Sequence, residues 1–134
     1  MNRKTARENA FILLFEGASK QDETAEEIFD KAVNDRALKC DEYVKNVFFG
    51  VYENSKIIDE IIEKCSVGWK RDRISIVSIA IIRLAVYELM FIDDIPAKVS
   101  INEAIELTKK YDEDKAYMFV NGVLNAAAES LSKK

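Results

Sequence analysis

A chain of 134 residues suits one compact domain, and 49% hydrophobic residues are enough to give it a real core. Four Gly, one Pro and the absence of strand-like alternation exclude a β fold and leave an all-α one, rich in Ala, Ile, Leu, Glu and Lys. The lack of histidine removes the commonest acid–base residue and metal ligand, and the net charge of −4 conceals an uneven distribution.

The opening "MNRKTARENAF" has no long apolar core behind its basic residues, so it does not read as a secretory signal, and a cytoplasmic protein is expected. Arg7, Ala10, Leu13, Leu14 and Gly17 fall on one side of a first helix, about Thr5 to Ser19. Thr24 followed by Glu27 is a capping box for a short second helix with Ile28, Phe29, Ala32 and Val33 inside. "NDRALKCDE" is a polar connection, after which Asp41 caps a third helix. Its stripe is Val44, Val47, Phe48, Val51, Ile58, Ile61, Ile62 and Cys65, weakening at Asn54-Ser55, where a kink or break is expected. "SVGWKRDR" is a turn-rich joint.

The stretch Ile74 to Ile92 is 19 residues long and mostly apolar, long enough to cross a bilayer. Arg83 near its middle and Glu88 beyond it are costly in hydrocarbon, so a helix buried inside a bundle is expected, and no membrane partner. Those two charges stand five apart, which does not align them along one helix, so each should reach a partner elsewhere. Glu103 and Glu60 are candidates for Arg83, and any Lys or backbone N–H for Glu88; the other reading is that one of them meets a protein partner. Pro96 ends that helix, Ser100 or a near neighbour caps the next, and a last helix runs from about Asp114 to Leu131. Six or seven helices follow, with short connections that make neighbours antiparallel.

Residues 1–20 carry Arg3, Lys4, Arg7 and Lys20 against Glu8 and Glu16, a balance of +2. Residues 21–65 hold twelve acidic and six basic residues, and the joint before the central helix is again basic with Lys70, Arg71 and Arg73. A local basic patch can bind nucleic acid in a chain of negative total charge. Cys40 and Cys65 stand 25 positions apart without a partner motif, so they read as small core residues and no zinc site is expected. The acidic pairs read as caps and solvated faces, and there is no Gly-rich phosphate loop or nucleophile elbow, so no enzyme and no cofactor are expected.

The segments "AREN" (Ala6 to Asn9), "GVYEN" (Gly50 to Asn54), Trp69 with Arg73, "IIRLAVYEL" (Ile81 to Leu89), "IPAKVSINEAIELTKKY" (Ile95 to Tyr111) and "FVNGVLN" (Phe119 to Asn125) occur in one order. In that order and spacing the chain resembles the NusB family of bacterial transcription antitermination factors over essentially its whole length. The resemblance implies an all-helical fold of two small bundles sharing one core, about 1–66 and 67–134. It implies binding of a short single-stranded boxA-type RNA of ribosomal RNA leaders, together with NusE, a small-subunit ribosomal protein. The complex modifies RNA polymerase so that it reads through terminators, without cofactor or catalysis.

Residue by residue, the family's basic N-terminal segment corresponds to Arg3, Lys4 and Arg7, with Asn2 and Thr5 where further basic residues are common. Its second RNA surface corresponds to Lys115, Phe119 and Asn121, with Phe119 either a base-stacking ring or a core aromatic. On this reading Arg7→Glu weakens RNA binding and leaves the fold intact. Some family members dimerise, so the resemblance leaves a homodimer open as a further partner, one that would hide the RNA surface. Two other readings stand beside this one: a helical protein–protein adaptor, motivated by the acidic middle segment, and the RNA-targeting part of an rRNA methyltransferase.

Asn121-Gly122 is a hairpin signal set inside a helical pattern. A mid-helix Gly costs about 1 kcal/mol relative to Ala. Gly122 is therefore expected to permit a close helix–helix approach, near Gly50 or the central helix, so that Gly122→Leu overpacks the core. Asn121 would satisfy a buried backbone group or face the RNA.

Overall fold

The computed structural model describes residues 1–69 and 74–134. Lys70, Arg71 and Arg73 of the basic joint lie outside the described residues. Seven α-helices are found among those described: α1 Arg3–Ser19, α2 Ala25–Asp30, α3 Glu42–Glu53, α4 Ser55–Cys65, α5 Ile76–Phe91, α6 Ala97–Tyr111 and α7 Ala116–Ser130. The connection after α2 carries a turn of π-helix, Lys31–Asp35.

Local chemistry accounts for most boundaries. Asn2 accepts from the Thr5 N–H and opens α1 two residues earlier than periodicity suggests. Thr24 and Glu27 form the reciprocal capping box of α2, and Asp41 and Ser75 cap α3 and α5. The expected break at Asn54-Ser55 is real: the Asn54 amide donates to the Gly50 carbonyl at 2.8 Å, Asn54 leaves the helical backbone conformation, and α4 begins at Ser55. One cap was misplaced. Ser100 lies inside α6, which starts at Ala97 directly after Pro96, and its hydroxyl turns to the core.

α5 packs against α1, α3, α4, α6 and α7. Hence its sequence is apolar on every side, and Ala80, Ile81, Ile82, Leu84, Ala85, Val86 and Leu89 are all buried. The core is one continuous cluster from Ala6 to Ala128. Arg83 escapes it by pairing at 3.0 Å with Asp59 of α4, rather than with Glu60 or Glu103. The i, i+4 geometry of α4 puts Asp59 on the α5-facing edge and Glu60 one step round the helix.

The expected packing notch at Gly122 is also corrected. Gly122 faces outward, and a Cβ there would meet only the Trp69 ring, at 3.6 Å, an ordinary contact. The close approaches are at Gly17, where a Cβ would run into the Tyr52 hydroxyl, and at Gly50, where it would run into the Tyr87 ring. Gly122→Ala is therefore expected to raise stability by about 0.5–1 kcal/mol through helix propensity, readable as a small rise in thermal midpoint. A fall would show that the backbone there needs its glycine.

Candidate nucleic-acid interface

The start of α1 exposes Arg3 and Lys4. The Arg3 guanidinium carbon stands 4.4 Å over the centre of the Tyr43 ring, a cation–π contact with α3. Lys4 Nζ lies 3.7 Å from Glu103 Oε2 and keeps most of its side chain in solvent.

Arg7, one turn on, lies on the same side of the helix, its guanidinium carbon 5.9 Å from the centre of the Tyr43 ring, but it is buried. It is 4% exposed; its Nε donates to Glu88 Oε2 at 2.8 Å, and its Nη1 donates to Glu103 Oε1 at 3.4 Å. Glu88 is fully buried and also accepts from the Tyr43 hydroxyl and, at 2.7 Å, from Ser100 Oγ. One carboxylate thus ties α1, α3, α5 and α6 together. Burial works against the Arg7 charge, but the Glu88 hydrogen bond and charge outweigh it and raise its pKa. Burial first, then the Glu88 charge, pushes the Tyr43 hydroxyl well above its ordinary value, so it remains a donor. The expectation that Arg7→Glu leaves the fold intact is overturned. It would face a third carboxylate toward Glu88 and Glu103 in a buried setting.

The second group of residues lies about 13 Å further along α6, at 1.5 Å per residue from Glu103 to Asp112. Lys115 is exposed immediately before α7. Phe119 is 7% exposed, and its ring meets that of Trp69 edge-on, centroids 5.1 Å apart. Of the two expectations for Phe119, the core aromatic is the one the structure matches: the ring belongs to the buried core, and only its edge borders a cleft of about 510 Å³ with Trp69, Ile74, Asp112 and Lys115. Asn121 is exposed, and its side-chain oxygen accepts from Asn125 Nδ2 at 2.8 Å, so it satisfies no buried backbone group. Among the described residues no hydrogen bond, ion pair or ring contact links this group to the α1 tip.

Trp69, a motif residue to which the sequence assigns no role, stands at the mouth of this cleft. At 45% exposure it is the open aromatic wall of the cleft, where Phe119 is 7% exposed. The available signal was a lone Trp in a turn-rich joint, where an apolar core position is not expected.

Asp112 holds the cleft's floor. One of its oxygens accepts from Ser75 and, at 2.6 Å, from Ser78 Oγ, joining the end of α6 to the start of α5. Burial alone would raise its pKa, but the two hydroxyls and the Glu113 N–H outweigh burial and hold it below 3.8. A depressed carboxylate contributes stability that is present above pH 3.8 and lost as pH falls through the lower folded value. Asp112→Asn should remove that part of the acid slope of unfolding free energy. An unchanged slope below pH 4 would show that Asp112 is not held this way.

Among the described residues no group of His, Cys, Asp and Glu is placed to hold a metal ion, and no helix is long and apolar enough to cross a membrane. Fold and surface together define an all-α domain that offers cations and aromatic faces to a ligand. A model of the NusB family matches residues 4–129, and the chain belongs to that family. It is 43% identical to the transcription antitermination protein NusB of Natranaerobius thermophilus over 137 aligned positions, covering 99% of each chain. Among solved structures it is similar to Thermotoga (T. maritima) NusB, with TM-score 0.83, 34% identity and 96% and 92% of the two chains covered. It is also similar to a crystal structure of the antitermination factors NusB and NusE in complex with double-stranded RNA, with TM-score 0.82, 33% identity and 96% of each chain covered.

Proposed function

We propose that this chain is an RNA-binding transcription antitermination factor. It takes up a boxA-type single-stranded RNA of ribosomal RNA leaders together with a NusE-type ribosomal protein, and the assembly acts on RNA polymerase. The observation that supports RNA and NusE as its partners is the match over nearly the whole chain to a NusB solved with NusE and double-stranded RNA.

The surface supports a division of labour. Arg3 and Lys4 meet phosphates, where counterion release drives binding. Lys115 and Asn121 flank the second contact, and the exposed Trp69 ring, backed edge-on by the buried Phe119, receives an unpaired base by stacking. Arg7 acts from inside, fixing the angle at which α1 presents the two outer cations.

A titration of labelled boxA-type RNA, with and without the ribosomal protein, tests this. Tighter binding of the single strand than of a scrambled strand or a duplex, enhanced by the protein partner, is expected. The adaptor reading is favoured by the acidic stretch 21–65, with twelve acidic and six basic residues. It predicts partner binding with no RNA affinity and no dependence on salt.

A further inference from the structure

We propose that Tyr43 is a positioning residue for RNA binding: its buried ring is a platform that holds the Arg3 guanidinium at the surface in a preset orientation. This rests on the reading of the α1 tip as a phosphate-binding surface.

Three observations carry it. Arg3 lies face-on at 4.4 Å from the ring centroid, close enough for a cation–π contact. The ring cannot drift, because Tyr43 is 8% exposed and its hydroxyl donates to Glu88, the fully buried carboxylate also held by Arg7 and Ser100. Finally, Arg3 sits in the first turn of α1, beside the charged Lys4, while no acidic side chain among the described residues pairs with it.

An exposed arginine normally explores many rotamers, and ordering it on binding is costly. A guanidinium already laid on an aromatic face loses less, and its edge N–H groups stay free to donate to phosphate oxygens. Lysine at the same place lacks the planar surface that stacks. The core network thereby reaches the ligand surface through one ring: Glu88 fixes Tyr43, and Tyr43 fixes Arg3.

The test is a set of RNA titrations on the full chain with Arg3→Ala, Tyr43→Leu, Tyr43→Phe and the Arg3→Ala/Tyr43→Leu double variant, each with a thermal melt. Tyr43→Leu should weaken RNA binding about two- to fivefold, the range of an exposed cation–π contact. Tyr43→Phe keeps the ring and should recover that affinity, even though its melting temperature falls with the lost Glu88 hydrogen bond. In the double variant the Tyr43 effect should vanish, since there is no guanidinium left to hold. Additive effects of the two substitutions, or failure of Tyr43→Phe to recover affinity, would overturn the positioning role. If Arg3→Ala itself leaves affinity unchanged, the phosphate-binding reading of the tip fails instead. Should Tyr43→Leu not fold, the native chain still decides. The Arg3 side-chain protons should show an upfield ring-current shift by NMR, and random-coil shifts there refute the platform.

Discussion

Arg7→Ala should lower the unfolding free energy by about 3–5 kcal/mol, the cost of leaving a buried charge without its partner. Arg7 is 4% exposed and Glu88 is fully buried, so the native pair is shielded from solvent and the guanidinium supplies the only charge that balances Glu88 among its hydrogen-bond donors. The Tyr43 and Ser100 hydroxyls remain on Glu88, but neither carries charge. For a chain of this size the loss corresponds to a fall of roughly 10–20 °C in thermal midpoint. The effect should persist in 1 M salt, since ions screen exposed pairs far more than buried ones. A double variant, Arg7→Met with Glu88→Leu, should lose less than the two single changes added together, because neither charge is then orphaned. A midpoint within a few degrees of wild type for Arg7→Ala would show that the pair is open to solvent.

Charge reversal one turn earlier should do the opposite: little to stability and much to binding. Arg3→Glu with Lys4→Glu replaces two exposed cations whose native contacts are a surface ion pair and one ring face. Such contacts contribute about 1 kcal/mol or less each. Like charge against phosphate costs several kcal/mol, and each 1.4 kcal/mol is a factor of ten, so RNA affinity should fall about a hundredfold. The slope of log affinity against log salt should flatten by about 1.4, for two phosphate contacts on a single strand. A large loss of affinity with an unchanged slope would place the phosphate contacts elsewhere. Together the two variants separate residues that one basic segment groups: Arg7 is read in a melt, Arg3 and Lys4 in a titration.

Capping and periodicity made much of the fold legible. The Thr24/Glu27 box, the Asp41 cap, the break at Asn54 and the buried course of α5 all follow from short-range rules, because a helix end is set by side chains within one turn of it. The start of α6 was less legible. Ser100 has the chemistry of a cap, yet its hydroxyl serves a carboxylate on another helix, and a contact 12 residues away along the chain leaves no mark on local pattern. Gly122 failed for a related reason: the residue type signals that something needs room, but not what. The neighbour is the exposed Trp69 ring, while the tight approaches are those of Gly17 to Tyr52 and Gly50 to Tyr87.

The sequence by itself determined an all-α domain, its apolar central helix, the location of its basic segments and its resemblance to the NusB family. These depend on composition, on 3.6-residue periodicity and on the order of motifs, all of which are linear properties. Only the tertiary structure decided what each charge does. Arg3, Lys4 and Arg7 lie on one side of α1, as i, i+3 and i, i+4 neighbours do, but Arg7 stands one turn deeper, where α3, α5 and α6 close over it, while Arg3 and Lys4 sit at the open end of the helix. Glu88, which looked like an interruption of an apolar helix, became the acceptor for Arg7, Tyr43 and Ser100, because burial makes an unpaired charge intolerable and packing brought three donors to it.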